Sequence, residues 1–200
     1  MTTIRPSLVP RRDSTSKTPG PPLYMTPTTL LSSSVSFSGT HPITLCASVI
    51  IQLRSRLSSF NGPIHIGEGT IINERVSVGC RTVSESQNQE NGAPTAVSGV
   101  NIGQGVLIES GAVVEASSVG AFTTIEAGAM VGKGAVVGER CKICAKVEVG
   151  EGWVVNDGTV VWGSGWGECR VEKRAGELDG KREGWVKEQG EVMRRVWTGR

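Results

Sequence analysis

Histidine is the scarcest versatile catalytic residue in this chain: His41 and His65 are the only two among 200 residues. Aromatic side chains make up only 4%. Neither charge sign dominates, since 21 basic and 19 acidic side chains leave a formal +2. That balance argues against electrostatic capture of nucleic acid or an anionic membrane surface as the main activity. No apolar run reaches the roughly 18 residues of a membrane-spanning helix, so no membrane insertion is expected. Five cysteines, Cys46, Cys80, Cys141, Cys144 and Cys169, are scattered and odd in number, which suits free thiols in a reducing compartment. What the chain does have is apolar residues at 38% and 27 glycines, the profile of a turn-rich β protein with a core.

Three regions differ in composition. Residues 1–34 hold 19 Ser, Thr or Pro. Such a leader buries too little apolar surface to offset its ordering entropy, so disorder is expected. Its basic bias resembles a mitochondrial presequence, but Pro6, Pro10, Pro19, Pro21, Pro22 and Pro27 would break the helix such signals need. Pro21-Pro22-Leu23-Tyr24 has the PPxY shape read by WW domains. Residues 168–200 carry 16 charges. There Trp185, Val186, Val192, Met193, Val196 and Trp197 fall on one side of a helix drawn over 182–197, expected to cap an open end of the fold.

Between these regions, 35–167, lies a repeat. Aliphatic residues recur at Leu45, Ile51 and Leu57, then Ile66, Ile72 and Val78, then Ile102, Ile108 and Val114. After a five-residue step to Val119 the interval is six throughout: Ile125, Val131, Val137, Ile143, Val149, Val155, Val161. An α-helix needs spacings of three and four, and an alternating strand needs two. A period of six means short strands turning after each hexad. A glycine often follows the aliphatic (Gly67, Gly79, Gly103, Gly120, Gly132, Gly138, Gly150), as backbone freedom at a corner would require. Four positions after it stands a small or β-branched residue such as Val49, Ser55, Thr70, Ala112, Ser118 or Ala135. Three hexads close a triangular coil of 18 residues, stacking Ile125, Ile143 and Val161 in one inward column. Leu57 to Ile66 spans nine residues, and 84–99 is a polar excursion from one corner.

Searching for chemistry gives little. Cys141-Lys-Ile-Cys144 lacks the second pair or the histidines of a four-ligand zinc site, so it reads as small residues of the repeat. The Gly-x-Gly pairs at 67–69, 103–105, 132–134 and 150–152 lead into strands, not into the helix a phosphate cradle needs. No catalytic, cofactor-binding or metal-binding residue is therefore assigned, and no cofactor is expected.

The hexads resemble those of the hexapeptide-repeat proteins, whose fold is an all-β, left-handed parallel β-helix. Acyltransferases of that fold use a histidine base with a pantetheine groove between coils, and its carbonic anhydrases hold zinc with three histidines. Two histidines cannot supply the latter set, but one of them could serve as an acyl-transfer base. Within this group, Asn61-Gly62-Pro63-Ile64-His65-Ile66-Gly67-Glu68-Gly69, followed by Ile71-Ile72-Asn73-Glu74, resembles the dynactin subunit 6 family. The polar excursion, the five-residue step and the closing Gly158-Thr159-Val160-Val161-Trp162-Gly163 match its layout over about 39–171. The resemblance implies a non-catalytic subunit of the pointed-end complex of dynactin, in the cytoplasm and on the cytoskeleton, serving dynein-dependent transport along microtubules. Its implied partners are dynactin subunit 5, actin-related protein 11 and dynactin subunit 4. The alternative implied by the wider group is an acyltransferase or a carbonic-anhydrase-like homotrimer.

Overall fold

Each hexad forms a strand of only a few residues, then turns. The computed structural model describes residues 20–79, 99–163 and 170–173, with helical positions 188, 190–192, 194 and 195. The chain winds as a left-handed parallel β-helix of about six turns, with little helix. Three sheets form its walls. The first contains β1 (Leu23–Met25), β4 (Ile43–Leu45), β7 (Ile64–Ile66), β10 (Val100–Ile102), β13 (Ser118–Val119), β16 (Val136–Val137) and β19 (Val154–Val155). In the second lie β2 (Leu30–Leu31), β5 (Ile50–Ile51), β8 (Ile71–Ile72), β11 (Leu107–Ile108), β14 (Thr124–Ile125), β17 (Lys142–Ile143), β20 (Thr159–Trp162) and β21 (Arg170–Lys173). The third stacks β3 (Ser36–Gly39), β6 (Arg56–Ser59), β9 (Ser77–Val78), β12 (Val113–Val114), β15 (Met130–Val131) and β18 (Glu148–Val149).

The inward columns follow the hexads. Ile108, Ile125, Ile143 and Val161 stand in register on the second wall, and Val119, Val137 and Val155 on the first. All seventeen aliphatic positions named from the sequence are buried. Each such burial contributes about 1.5–3 kcal/mol.

The prism begins earlier than residue 35. Met25, Leu31 and Phe37 pair in register with Leu45, Ile51 and Leu57, so residues 23–39 form a complete first coil. Polar composition did not prevent this, because parallel pairing supplies the backbone partners and a few apolar side chains, Leu23, Leu31, Val35 and Phe37, pack against the core while Met25 stays exposed. PPxY is correspondingly no free polyproline segment: Pro22 accepts a hydrogen bond from Ile43 N–H at 2.9 Å, and Leu23–Met25 is a strand. Residues 1–19 of the expected leader lie outside the described residues, as does the polar excursion up to residue 98.

The corner glycines have a different reason from the one expected. The left-handed backbone falls three residues after the inward aliphatic, at Gly69 (φ 67°) and Gly134 (φ 71°), and also at Arg54, Arg75 and Lys146. Gly67 and Gly120 are required by proximity instead: a Cβ on Gly67 would lie 2.5 Å from the Gly103 carbonyl carbon, and one on Gly120 2.4 Å from Glu139 N. Coils touch backbone to backbone there. Gly79 does have a positive φ, 81°. At the five-residue step Ala116, fully buried, fills the corner, while Ser118 turns outward in β13.

The end of the second sheet is closed by β21, antiparallel on β20, and not by the C-terminal helix. That helix lies along the flank. Gly190 is buried with the Ile71 side chain as its neighbour, and Arg194 donates to the Ser48 carbonyl at 3.0 Å. Its seat is a second apolar cluster on the outer side of the sheet, Ile50, Ile71 and Leu107 with Leu30 beside them. Trp185, Val186, Met193, Val196 and Trp197 lie outside the residues whose side chains are described.

Candidate functional site

The first sheet brings an exposed imidazole and a thiol together. In β7, Ile64 and Ile66 point into the core, so His65 between them points out and is exposed. Thr44 and Asn101 flank it in register on the adjoining strands. Cys46, at the corner just after β4, places its Sγ 3.7 Å from His65 Nε2. The nine-residue step after Leu57 keeps the ladder in register, with Leu45 opposite Ile66 and Thr44 opposite His65, so Cys46 reaches His65 diagonally across that pair.

The corner bearing Cys46 is held from several directions. Its N–H donates to Ile66 O at 2.9 Å, and its carbonyl accepts from the Thr29 hydroxyl at 3.2 Å. Two residues on, Ser48 has φ 61°, a left-handed conformation that costs about 1–2 kcal/mol for a residue with a Cβ. Ser48 N–H donates to the Thr28 hydroxyl at 3.0 Å, and Arg194 occupies its carbonyl. Two segments expected to lie outside the prism, the leader and the C-terminal helix, thus anchor this corner.

His41 is placed differently. It follows β3 in the first full coil, and its Nδ1 donates to the Ser59 carbonyl at 3.0 Å. Ser59 Oγ in turn donates to His41 O at 2.7 Å. The ring tacks one coil to the next. His41 lies on the connection between β3 and β4 and His65 within β7, and no group of three metal-ligating side chains occurs among the described residues. Cys141 is fully buried with its Sγ 3.1 Å from Asn156 O, a core position as expected, and Cys144 packs against the core edge.

A second polar feature lies where the third sheet turns into the first. The steps between inward aliphatics that exceed six residues, after Phe37, Leu57 and Val78, all start at this corner. A shallow cleft there is lined by Asn61, Gly79, Glu115 and Lys133, and Asn61 Nδ2 is buried without a hydrogen-bond partner. It holds no histidine and no cysteine.

No family model and no curated protein matches the chain. Among solved structures, it is similar to a hexapeptide transferase family protein from Anaplasma phagocytophilum, with a TM-score of 0.67 at 16% identity, covering 90% of this chain and 96% of that one. A putative acetyltransferase from Bacillus cereus aligns at a TM-score of 0.47 and 12% identity, over 88% and 97% of the two chains. A GDP-perosamine N-acetyltransferase from Caulobacter crescentus aligns at 0.33 and 16% identity, over 78% of this chain and 58% of that one. These likenesses bear on the fold, and they correct the expectation drawn from the 61–74 block. The one of these with a substantial fold likeness carries a transferase name and none of the three is a dynactin subunit, so the reading as a non-catalytic dynactin subunit, with its expectation of no enzyme, is corrected and not carried forward.

Proposed function

We propose that the protein is a hexapeptide-repeat acyltransferase, moving an acyl group from a thioester donor to an amine or hydroxyl acceptor on the outer face of the first sheet. One observation carries this reading: His65, unlike His41, is exposed on a strand centre and has a proton-bearing group within contact of its Nε2. An acyl acceptor must lose a proton as it attacks the thioester carbonyl, and an imidazole within reach supplies the base. Thr44 and Asn101, in register on either side, offer a hydroxyl and an amide to orient polar parts of the reactants. A zinc-based hydration reaction fits less well, because each subunit has two histidines and they are not brought together.

The test is release of free coenzyme thiol from acetyl- and longer acyl-coenzyme A in the presence of a panel of amines and sugar acceptors. His65→Gln is expected to lower kcat by about 10²–10⁴-fold, the usual contribution of a general base. His41→Gln should leave kcat within a few-fold while lowering the melting temperature. Equal turnover by His65→Gln and the unaltered protein would overturn the assignment, as would absence of thiol release with every acceptor.

A further inference from the structure

A base alone would need only His65; the structure also provides a thiol against it. Cys46 is half-buried, its Sγ lies 3.7 Å from His65 Nε2, and the corner that carries it is fixed by Thr28, Thr29 and Arg194. We propose that Cys46 is a nucleophile that holds the acyl group as a thioester between donor and acceptor, an inference that rests on the acyl-transfer reading of the same face. A thiol is the strongest nucleophile among neutral side chains once its proton is removed, and an adjacent imidazole is the usual means of removing it. The other described cysteines are set differently: Cys141 is fully buried with its Sγ donating to the Asn156 carbonyl, and Cys144 packs against the core edge.

The balance of the reaction is simple. In the first step the Sγ–H proton passes to His65 Nε2 and Sγ bonds to the acyl carbonyl carbon. The bond from that carbon to the donor sulfur breaks, and the donor thiolate takes the proton from His65. One thioester replaces another, so no oxidant, reductant or further co-reactant is needed. In the second step the acceptor nitrogen or oxygen bonds to the acyl carbon and the bond to Cys46 Sγ breaks. The acceptor's proton returns through His65 to the Cys46 sulfur, and the resting pair is restored.

The experiment is incubation of the full chain with acetyl-coenzyme A, without acceptor, followed by acid quench, intact mass measurement and peptide mapping. The expected result is one acetyl group on Cys46, removed by neutral hydroxylamine as a thioester is. Cys46→Ala should abolish that label, and His65→Gln should slow its formation by more than about tenfold. Cys46→Ser, which keeps the size of the side chain, serves as a second variant, with thermal melting to show that both variants fold. Labelling spread over several cysteines, or no label on Cys46, would overturn the proposal. Thiol release by Cys46→Ala equal to the unaltered protein would remove the covalent step while leaving acyl transfer in place. Absence of thiol release with and without acceptors in the unaltered protein would remove both.

Discussion

The first and second sheets share one ladder geometry and the same kind of inward column, yet over their first four strands the outer faces differ. Outward on the second sheet come Leu30, Ile50, Ile71 and Leu107, the last three at 0%, 0% and 3% exposure. Outward on the first come Tyr24, Thr44, His65, Asn101 and Ser118, of which Tyr24, His65 and Asn101 are exposed. The hexad dictates only what faces in. What faces out is set by whether another part of the chain lies there. Over the stretch around Ile71 of the second sheet the C-terminal helix does, whereas on the first sheet the early strands carry polar and reactive groups and the later ones the exposed Val136 and Val154. Chemistry is therefore sought on the first sheet, and stability beyond the core on the second.

The sharpest way to break this comparison is to spoil what both sheets share. Val137, 1% exposed, stands between Val119 and Val155 in the inward column. Val137→Asp would place a carboxylate there without a partner, and a loss of more than about 4 kcal/mol is expected, or failure to fold. Glu139, exposed two residues later, should tolerate Glu139→Ala within about 0.5 kcal/mol. Denaturant unfolding of the two variants measures the difference, and similar midpoints would contradict the register.

Next in size is the outer face itself. Ile71→Ala removes a fully buried side chain under the helix and should cost about 2–5 kcal/mol, as core truncations do. Asn101→Ala, at the corresponding outward position of β10, should cost about 0.5 kcal/mol or less. Equal effects would mean that the helix does not rest on the second sheet in solution.

The inward hexads were legible because burial on one side of a two-residue strand imposes a strict period. The first coil was not. Met25, Leu31 and Phe37 are also six apart, but they sit among serines, threonines and prolines, and the step from Phe37 to Leu45 is eight. The seat of the helix is marked by large aliphatic pairs stacked on four successive strands, Leu30-Leu31, Ile50-Ile51, Ile71-Ile72 and Leu107-Ile108, but a pair alone does not imply burial on both faces, since Val136-Val137 and Val154-Val155 leave their outward valine exposed. The contact between Cys46 and His65 was hidden for a geometric reason. The two residues are 19 apart and diagonal, not opposite, in the ladder, so the hexad register pairs His65 with Thr44 and leaves the reach of the Cys46 side chain to the corner geometry.

Smaller effects separate the two kinds of corner glycine. Gly67→Ala would drive a methyl group to 2.5 Å from backbone of the next coil, which must shift, at about 1–3 kcal/mol. Gly69→Ala meets nothing within 4 Å, and its cost is the positive φ alone, about 1 kcal/mol. Gly69→Asn should recover part of that loss because asparagine tolerates the left-handed region, whereas Gly67→Asn should be worse than Gly67→Ala. A rescue by asparagine at 67 would show that backbone freedom, and not contact between coils, governs that position.

The smallest effect has the opposite sign. Gly190 lies within the C-terminal helix, facing Ile71, and an added Cβ would stand 3.7 Å from Ile71 Cδ1. That is ordinary van der Waals contact, so the seat has room for a methyl group. Glycine within a helix is less favourable than alanine by about 1 kcal/mol. Gly190→Ala should therefore stabilise the protein by up to about 1 kcal/mol, and the gain should depend on docking against Ile71. Combined with Ile71→Ala, the new methyl group loses its neighbour and keeps only its helix propensity, so a double-mutant cycle separates the two contributions. A destabilising Gly190→Ala would mean that the helix approaches the second sheet more closely than 3.7 Å allows.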